Sequence, residues 1–189
     1  MSIITVPNQH LRRMAKPIIK VDEKLKQLLA KLKNELELKQ NPPGLGLAFP
    51  QIDKNIRAFA MRTITEQGPS SETKIIINPI IIKHSRQTSF GLDEKNPDLE
   101  GCLSIPKIYG PVPRWVWIEL DYQLVQADQL INQHQRLENF DARIVQHELD
   151  HLNGILFTDH ILKHDLPAYL ENDAKELIKV QDRSLFDLY

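Results

Sequence analysis

The chain has 189 residues, a length that fits one domain with a sizeable core, and we expect residues 1–189 to form a single domain. Its 25 acidic and 24 basic residues nearly cancel, so the composition indicates neither a nucleic-acid-binding surface nor an acidic tail. The first residues lack the pattern of a secretory leader, and the longest apolar run, IIINPIII, is interrupted by Asn78 and Pro79. These features predict a soluble, cytoplasmic protein that binds neither membranes nor nucleic acids. The one cysteine, Cys102, fits a reducing compartment because it cannot form a disulfide within the chain.

The first predicted element is an amphipathic helix from Asp22 to about Lys39. Leucines recur there at helical spacing, with lysines and glutamates between them: Leu25, Leu28, Leu29, Leu32 and Leu36. Two prolines in the following run NPPGLG end the helix, and its two glycines permit tight backbone turns. We therefore expect a packed helix, followed by a stretch of backbone that passes close to another group.

Short runs rich in β-branched residues predict strands in the middle of the chain. These runs are IRAFAM (56–61), KIIIN (74–78), IIIK (80–83) and the alternating VWIELDYQL (116–124). They favour a mostly antiparallel sheet that is covered on one face. The polar stretch 84–97 predicts a long loop, and the segment from Pro167 onward predicts a peripheral C-terminal helix.

The run NFDARIVQHELDHLNG predicts a helix of about four turns, capped by Asn139 and ended by Gly154. Two neighbouring faces of this helix carry apolar and histidine side chains: Ala142, Val145, Leu149 and Leu152 on one, and Phe140, Ile144, His147, Glu148 and His151 on the other. A helix of this kind is expected to be largely buried. Burial of a lone carboxylate costs several kcal/mol, and a metal ion would provide the missing partner.

Histidines at positions i and i+4 point the same way from a helix, so His147 and His151 can reach one metal ion. The glutamate beside the first histidine is then placed to take a proton from water, as in other His-Glu-x-x-His sites. A surface helix with solvated histidines is the alternative, which the apolar flanks disfavour. The third ligand is either Glu171 or Cys102, and we favour Cys102 because a thiolate binds zinc and ferrous iron strongly.

Three runs in the order GLGLAFPQ, EGCLS and QHELDH resemble the motifs of the peptide deformylase family. The similarity extends from LRRMAKP near the start to HLNGILFTDHI after the metal helix. It implies an α+β fold in which mostly antiparallel sheets pack around a central metal-binding helix, with an N-terminal amphipathic helix and a C-terminal helix. It also implies an enzyme that hydrolyses the N-formyl group from the formylmethionine of new polypeptides and releases formate.

The resemblance implies a ligand set and a general base. Cys102, His147 and His151 would hold one divalent metal ion, with water or hydroxide as the fourth ligand. Glu148 would take the proton from that water and later give it to the departing amine. The family points to Fe(II) in the cell, and zinc, nickel or cobalt can occupy the same ligands.

The resemblance also implies roles in binding the substrate. Gln51 and the backbone N–H of Leu103 would stabilise the oxyanion, and Gly46 would let the backbone pair with the peptide. Phe140 and Ile144 would line an apolar pocket for the methionine side chain, with ordinary core packing as the alternative.

The chain departs from the family pattern at Phe49, where the first motif usually has alanine. We predict that Phe49 packs in the core; in the alternative it faces the substrate groove. The connection 78–100 is longer than the family pattern leads us to expect. Glu100 and Arg114 match residues that form a supporting ion pair in the family.

A zinc endopeptidase using Glu171 and an inactive deformylase-like binding protein are the competing functions. Docking to the ribosome is a further hypothesis, based on basic residues in the C-terminal region: Lys163, Lys175, Lys179 and Arg183.

Overall fold

The computed structural model describes residues 2–40, 43–93, 95–183 and 186. Its helices are α1 (Glu23–Glu37), α2 (Asn139–Leu152) and α3 (Phe157–Lys163), with short 3-10 helices at Gln9–Arg12 and Phe49–Ile52. Its strands are β1 (Gly46–Ala48), β2 (Ala58–Thr65), β3 (Gly68–His84), β4 (Thr88–Ser89), β5 (Leu99–Cys102), β6 (Ile105–Pro111), β7 (Arg114–Trp115), β8 (Trp117–Gln126), β9 (Gln129–Glu138), β10 (Tyr169–Glu171) and β11 (Leu177–Lys179).

The named strands form antiparallel sheets. The largest has the order β1-β2-β3-β8-β9, the second has the order β11-β10-β6-β5, and β4 pairs with β7. β1 and β5 are therefore each at the edge of a sheet. This arrangement confirms the predicted α+β class with mostly antiparallel sheets. Among the helices in the described ranges, none is long and apolar enough to cross a membrane.

Helix α1 covers one face of the five-stranded sheet. The Asp22 side chain caps it by accepting a hydrogen bond from the backbone N–H of Leu25 at 2.8 Å. Four leucines of the predicted stripe are buried against the sheet: Leu25, Leu29, Leu32 and Leu36. The Phe49 ring is fully buried in the same cluster. Phe49 thus packs in the core, as predicted, and its ring does not face the solvent.

Helix α2 packs on the opposite face of this sheet. Apolar residues of the helix join alternate strand residues in a second cluster: Ala142, Val145 and Leu152 with Phe59, Met61, Ile76, Ile118 and Leu120. The helix begins one residue earlier than predicted, because Glu138 rather than Asn139 occupies the N-cap position. Gly154 follows its end with φ of 73°, and a Cβ there would lie 2.5 Å from the carbonyl oxygen of Arg12. This close approach explains the glycine that ends the helix.

The predicted C-terminal helix is wrong over the described residues. Strands β10 and β11 form a hairpin there, and Tyr169 and Leu170 pair with residues of β6. Asn172 closes the turn because its Oδ1 accepts from the backbone N–H of Glu176 at 2.9 Å. Pairing with a distant strand and this local turn together override the helical periodicity. Residues 184, 185 and 187–189 of the predicted helix lie outside the described residues.

Three smaller differences concern β3, the segment after Leu152 and the predicted 84–97 loop. The runs KIIIN and IIIK belong to the single strand β3, whose pairing with β8 shifts register between Ile77 and Ile80. Asn78 has φ of 49° at this irregularity, and its side chain exchanges hydrogen bonds with the backbone of Ile18. Helix α3 was not predicted from the sequence. The predicted 84–97 loop contains the short strand β4.

Candidate metal centre and active site

Cys102, His147 and His151 come together at one point, where β5 ends beside α2. One ligand atom of each lies within 4.8 Å of the others. Cys102 Sγ is 3.1 Å from His151 Nε2, and the two imidazole rings are nearly perpendicular, with centroids 5.0 Å apart. A thiolate with two imidazoles is a donor set that suits zinc or ferrous iron. Glu171 lies on β10, where its carboxylate contacts Lys175 at 2.6 Å and is not part of this cluster.

The Cys102 thiol is in a setting that favours its anionic form. Burial alone would raise its pKa, but His151 and His147 together lower the pKa to about 5. The backbone N–H of Ser104 also donates to Sγ at 3.4 Å. A thiolate is the form that binds metals. The residues present therefore fit a divalent metal ion.

Glu100 contacts the Nδ1 atom of His147. Its Oε2 lies 3.0 Å from His147 Nδ1, and Arg114 contacts both carboxylate oxygens at 2.8 and 2.9 Å. Burial alone would raise the pKa of Glu100, but Arg114 and His147 hold it well below its ordinary range. A carboxylate at Nδ1 leaves Nε2 of the ring as the nitrogen that could bind a metal ion. The predicted Glu100–Arg114 pair is therefore present in the structure.

Glu148 is buried next to His147 in α2, with 3% of its surface exposed. Burial raises its pKa to about 7, although the two histidines oppose this shift. Its Oε2 has no hydrogen-bond partner among the described residues. Strand β1 lies against the carboxylate so closely that a Cβ at Gly46 would be 2.1 Å from Oε1. The carboxylate thus lies between the ligand cluster and an edge strand.

The orientation of Gln51 is fixed by its own motif. Its Oε1 accepts from the backbone N–H of Ala48 at 2.7 Å, so Nε2 faces Ser104 Oγ at 3.3 Å and Cys102 Sγ at 3.5 Å. Leu103 follows in the turn between β5 and β6, so its backbone lies next to Cys102. The side-chain amide of Gln51 and the backbone of Leu103 therefore both lie close to Cys102.

The two predicted pocket residues belong to the core cluster around α2. Ile144 is buried, and Phe140 is half-buried beside it together with Leu45 of the first motif. The sequence analysis did not predict that Leu45 lies beside Phe140 and Ile144. Its position between the two glycines of the motif GLGLAFPQ was a signal that could have suggested it. The apolar surface around Phe140 is thus partly open.

Other polar residues near the centre were not identified from the sequence. His160 Nε2 lies 2.8 Å from Asp150 Oδ2, which Arg114 also contacts. Ser104 is fully buried and accepts from Gln51. Arg143 is buried on α2 and donates to Glu100. The sequence could have indicated both residues, because Ser104 is the last residue of EGCLS and Arg143 lies just before QHELDH.

The comparison with known families agrees with this geometry. The model of the polypeptide deformylase family matches residues 1–166. The chain belongs to this family. It is 37% identical over 174 residues to the peptide deformylase of Rhodopirellula baltica, covering 90% of this chain and 79% of that protein. It is 39% identical over 178 residues to the peptide deformylase of Latilactobacillus sakei, covering 86% and 90% respectively.

Solved structures of peptide deformylases share the fold. The Thermotoga maritima enzyme superposes with a TM-score of 0.69 at 32% identity, covering 84% of this chain and 95% of that chain. The class I type b enzyme of Acinetobacter baumannii, bound to Met-Ala-Ser, gives a TM-score of 0.71 at 28% identity, covering 85% and 98%. The resemblance read from the three motifs is confirmed. The chain is a hydrolase that acts as a peptide deformylase, and neither the endopeptidase nor the inactive alternative is favoured.

Proposed function

We propose that the deformylase reaction of this chain depends on one divalent metal ion held by Cys102, His147 and His151. The convergence of their ligand atoms within 4.8 Å is the observation that carries the proposal. A metal ion bound there would act as a Lewis acid and lower the pKa of a water molecule. Fe(II) is the proposed ion in the cell, because a thiolate ligand suits a softer ion, and zinc, nickel or cobalt fit the same donors.

Glu148 is the proposed general base and acid. It takes a proton from the water whose oxygen forms a bond with the formyl carbon. It then gives that proton to the amine nitrogen as the carbon–nitrogen bond breaks, so formate and a free N-terminus leave. The burial of Glu148 beside both histidines supports this role, since it keeps the carboxylate close to the reacting atoms.

Gln51 Nε2 and the backbone N–H of Leu103 are the proposed donors to the oxyanion that forms at the formyl oxygen. The hydrogen bond from Ala48 to Gln51 Oε1 supports this role, because it holds the donor end of the amide toward Cys102. Preorganised donors of this kind stabilise the transition state without reorganisation during the reaction.

The peptide is proposed to bind as an added strand. β1 and β5 are both sheet edges, and their residues Gly46 and Cys102 lie beside α2 at Glu148 and His151. Free strand edges offer unpaired backbone groups to an extended peptide. Phe140 and Ile144 would contact the methionine side chain. The Acinetobacter baumannii relative, which contains Met-Ala-Ser, supports a peptide site of this kind.

The cellular compartment of the reaction is proposed from the nature of the substrate. Residues 1–189 would act as one catalytic domain in the cytoplasm, where formylmethionyl chains are made. Contact with the ribosome stays a prediction. The basic residues suggested for it lie on α3, the hairpin and the following segment rather than on one helix, and two of them already pair with acidic neighbours, Lys175 with Glu171 and Arg183 with Asp165. Co-sedimentation with ribosomes after neutralising Lys163 and Lys179 would test it.

The proposal is tested by measuring formate release from formyl-Met-Ala-Ser together with metal content, on protein purified without oxygen. Glu148→Ala should keep its metal and lose about 10²- to 10⁴-fold in kcat, the usual contribution of a general base. Cys102→Ser should lose metal. Glu171→Gln is the matched control and should change neither quantity. Normal turnover in Glu148→Ala, or normal metal content in Cys102→Ser, would contradict the proposal.

A further inference from the structure

Arg143 is a buried charge on α2, one turn before His147, with only 5% of its surface exposed. Its guanidinium donates to three acceptors on three different segments. Nη1 donates to Glu100 Oε1 at 2.8 Å and to the carbonyl oxygen of Val112 at 2.9 Å. Nη2 donates to the carbonyl oxygen of Ser89 at 2.9 Å. One side chain therefore joins β4, β5 and the segment after β6 to the metal-binding helix.

Glu100 connects Arg143 to the metal centre. Its Oε1 accepts from Arg143 Nη1 and from Arg114 Nε, whereas its Oε2 accepts from Arg114 Nη2 and lies 3.0 Å from His147 Nδ1. Each oxygen thus has two partners, which leaves the carboxylate little freedom to rotate. Oε2 is the oxygen that faces the imidazole of His147.

Arg114 and Arg143 both donate to Glu100, and Arg114 has a second carboxylate partner. Its remaining nitrogen, Nη1, donates to Asp150 Oδ2 at 2.6 Å, so its charge is shared between two carboxylates. Without Arg143, Oε1 would lose a donor, and the carbonyl groups of Ser89 and Val112 would lose their bonds to the guanidinium. We expect the β5 carboxylate to shift as these segments rearrange.

We propose that Arg143 is a positioning residue that holds Glu100 Oε2 against His147 Nδ1, and that it thereby sets the affinity of the centre for its metal ion. The inference rests on the metal site of the proposed function. Groups that bind the second nitrogen of a metal-ligating histidine fix its tautomer and ring orientation, and their loss typically weakens metal binding about 10- to 100-fold. Lysine cannot replace Arg143, because an ammonium lacks the planar fork that reaches separate acceptors.

The test uses Arg143→Met and Arg143→Lys, with zinc as the probe ion. Zinc dissociation constants are measured by competition with a chromophoric chelator, and the Nδ1–H resonance of His147 is followed by NMR in the zinc-loaded protein. Both variants should bind zinc about 10- to 100-fold more weakly and show a weakened or faster-exchanging Nδ1–H signal. Arg57→Met is the matched control: Arg57 binds Asn153 at the other end of α2 and contacts the carbonyl oxygen of Pro79. Its zinc affinity should stay unchanged.

Two outcomes would overturn the inference. One is wild-type zinc affinity in Arg143→Lys, which also decides the question if Arg143→Met does not fold. The other is an equal loss of affinity in Arg57→Met, which would indicate a general loosening of the helix. Cys102→Ser, measured in parallel, separates the two proposals. If it binds zinc as tightly as the wild type, the proposed metal site itself is wrong; if only Cys102→Ser loses affinity, the site stands and the role of Arg143 does not.

Discussion

Gly46→Ala is expected to damage catalysis through Glu148. A Cβ at position 46 would lie 2.1 Å from Oε1, 2.6 Å from Cδ and 2.8 Å from Cγ of Glu148. Carbon–oxygen contacts in proteins are about 3.3 Å or longer, so the carboxylate must retreat by about 1 Å. A misplacement of about 1 Å in a catalytic group costs about 10²-fold in rate. We therefore predict that kcat falls about 100-fold while the metal content stays at the wild-type value.

The assay is a double-mutant cycle between Gly46→Ala and Glu148→Ala, with formate release from formyl-Met-Ala-Ser as the readout. If Gly46 acts through the carboxylate, Gly46→Ala should lower kcat strongly in the wild type and little in the Glu148→Ala background. Loss of strand pairing with the peptide would instead raise KM in both backgrounds. Gly68→Ala is the control for a glycine-to-alanine change remote from the site, since a Cβ there meets nothing within 4 Å. An equal loss of kcat in the two backgrounds would refute the reasoning.

Two further predictions concern stability. Phe49→Ala should lower the free energy of unfolding by about 3–5 kcal/mol, because the ring is fully buried, while kcat/KM of the folded protein stays near the wild-type value; denaturant titration and the formate assay check this, and a changed substrate preference would contradict the core assignment. Gly154→Ala should destabilise by about 1–3 kcal/mol or more, owing to its φ of 73° and the 2.5 Å approach to the Arg12 carbonyl oxygen. An unchanged Tm in a thermal melt would count against that reading.

The central helix could be predicted from the sequence because its information is local. His147 and His151 are one turn apart, and the apolar residues around them repeat with the same period. One short run therefore contains two candidate ligands and the apolar residues that bury them. The choice between Cys102 and Glu171 for the third ligand depends on which strand meets this helix. That meeting depends on contacts between residues far apart in sequence. The affinity of a thiolate for metal ions favoured Cys102, but it gave no information on where Cys102 lies in the fold.

The C-terminal hairpin and Arg143 were not predicted for the same physical reason. Tyr169 and Leu170 form a strand because β6 is available to pair with them. The helical spacing of apolar residues within the segment gives no information about pairing with a distant strand. The acceptors of Arg143 are 31, 43 and 54 residues away along the chain. A buried arginine on an amphipathic pattern looks like a solvated residue until those acceptors are known.

Helix α2 lies beside edge strands from two separate sheets. Gly46 of β1 lies against Glu148, and Cys102 of β5 lies against His151, so helix α2 joins the free edges of two sheets. Exposed edges are a liability for aggregation, which most proteins reduce by covering or pairing them. Here both edges border the residues with the strongest metal-binding and acid–base character. In the proposed binding mode, an extended peptide pairs with such an edge through backbone hydrogen bonds, which do not depend on the peptide sequence. That geometry suits an enzyme whose substrates share an N-terminal residue and differ in the rest of the chain.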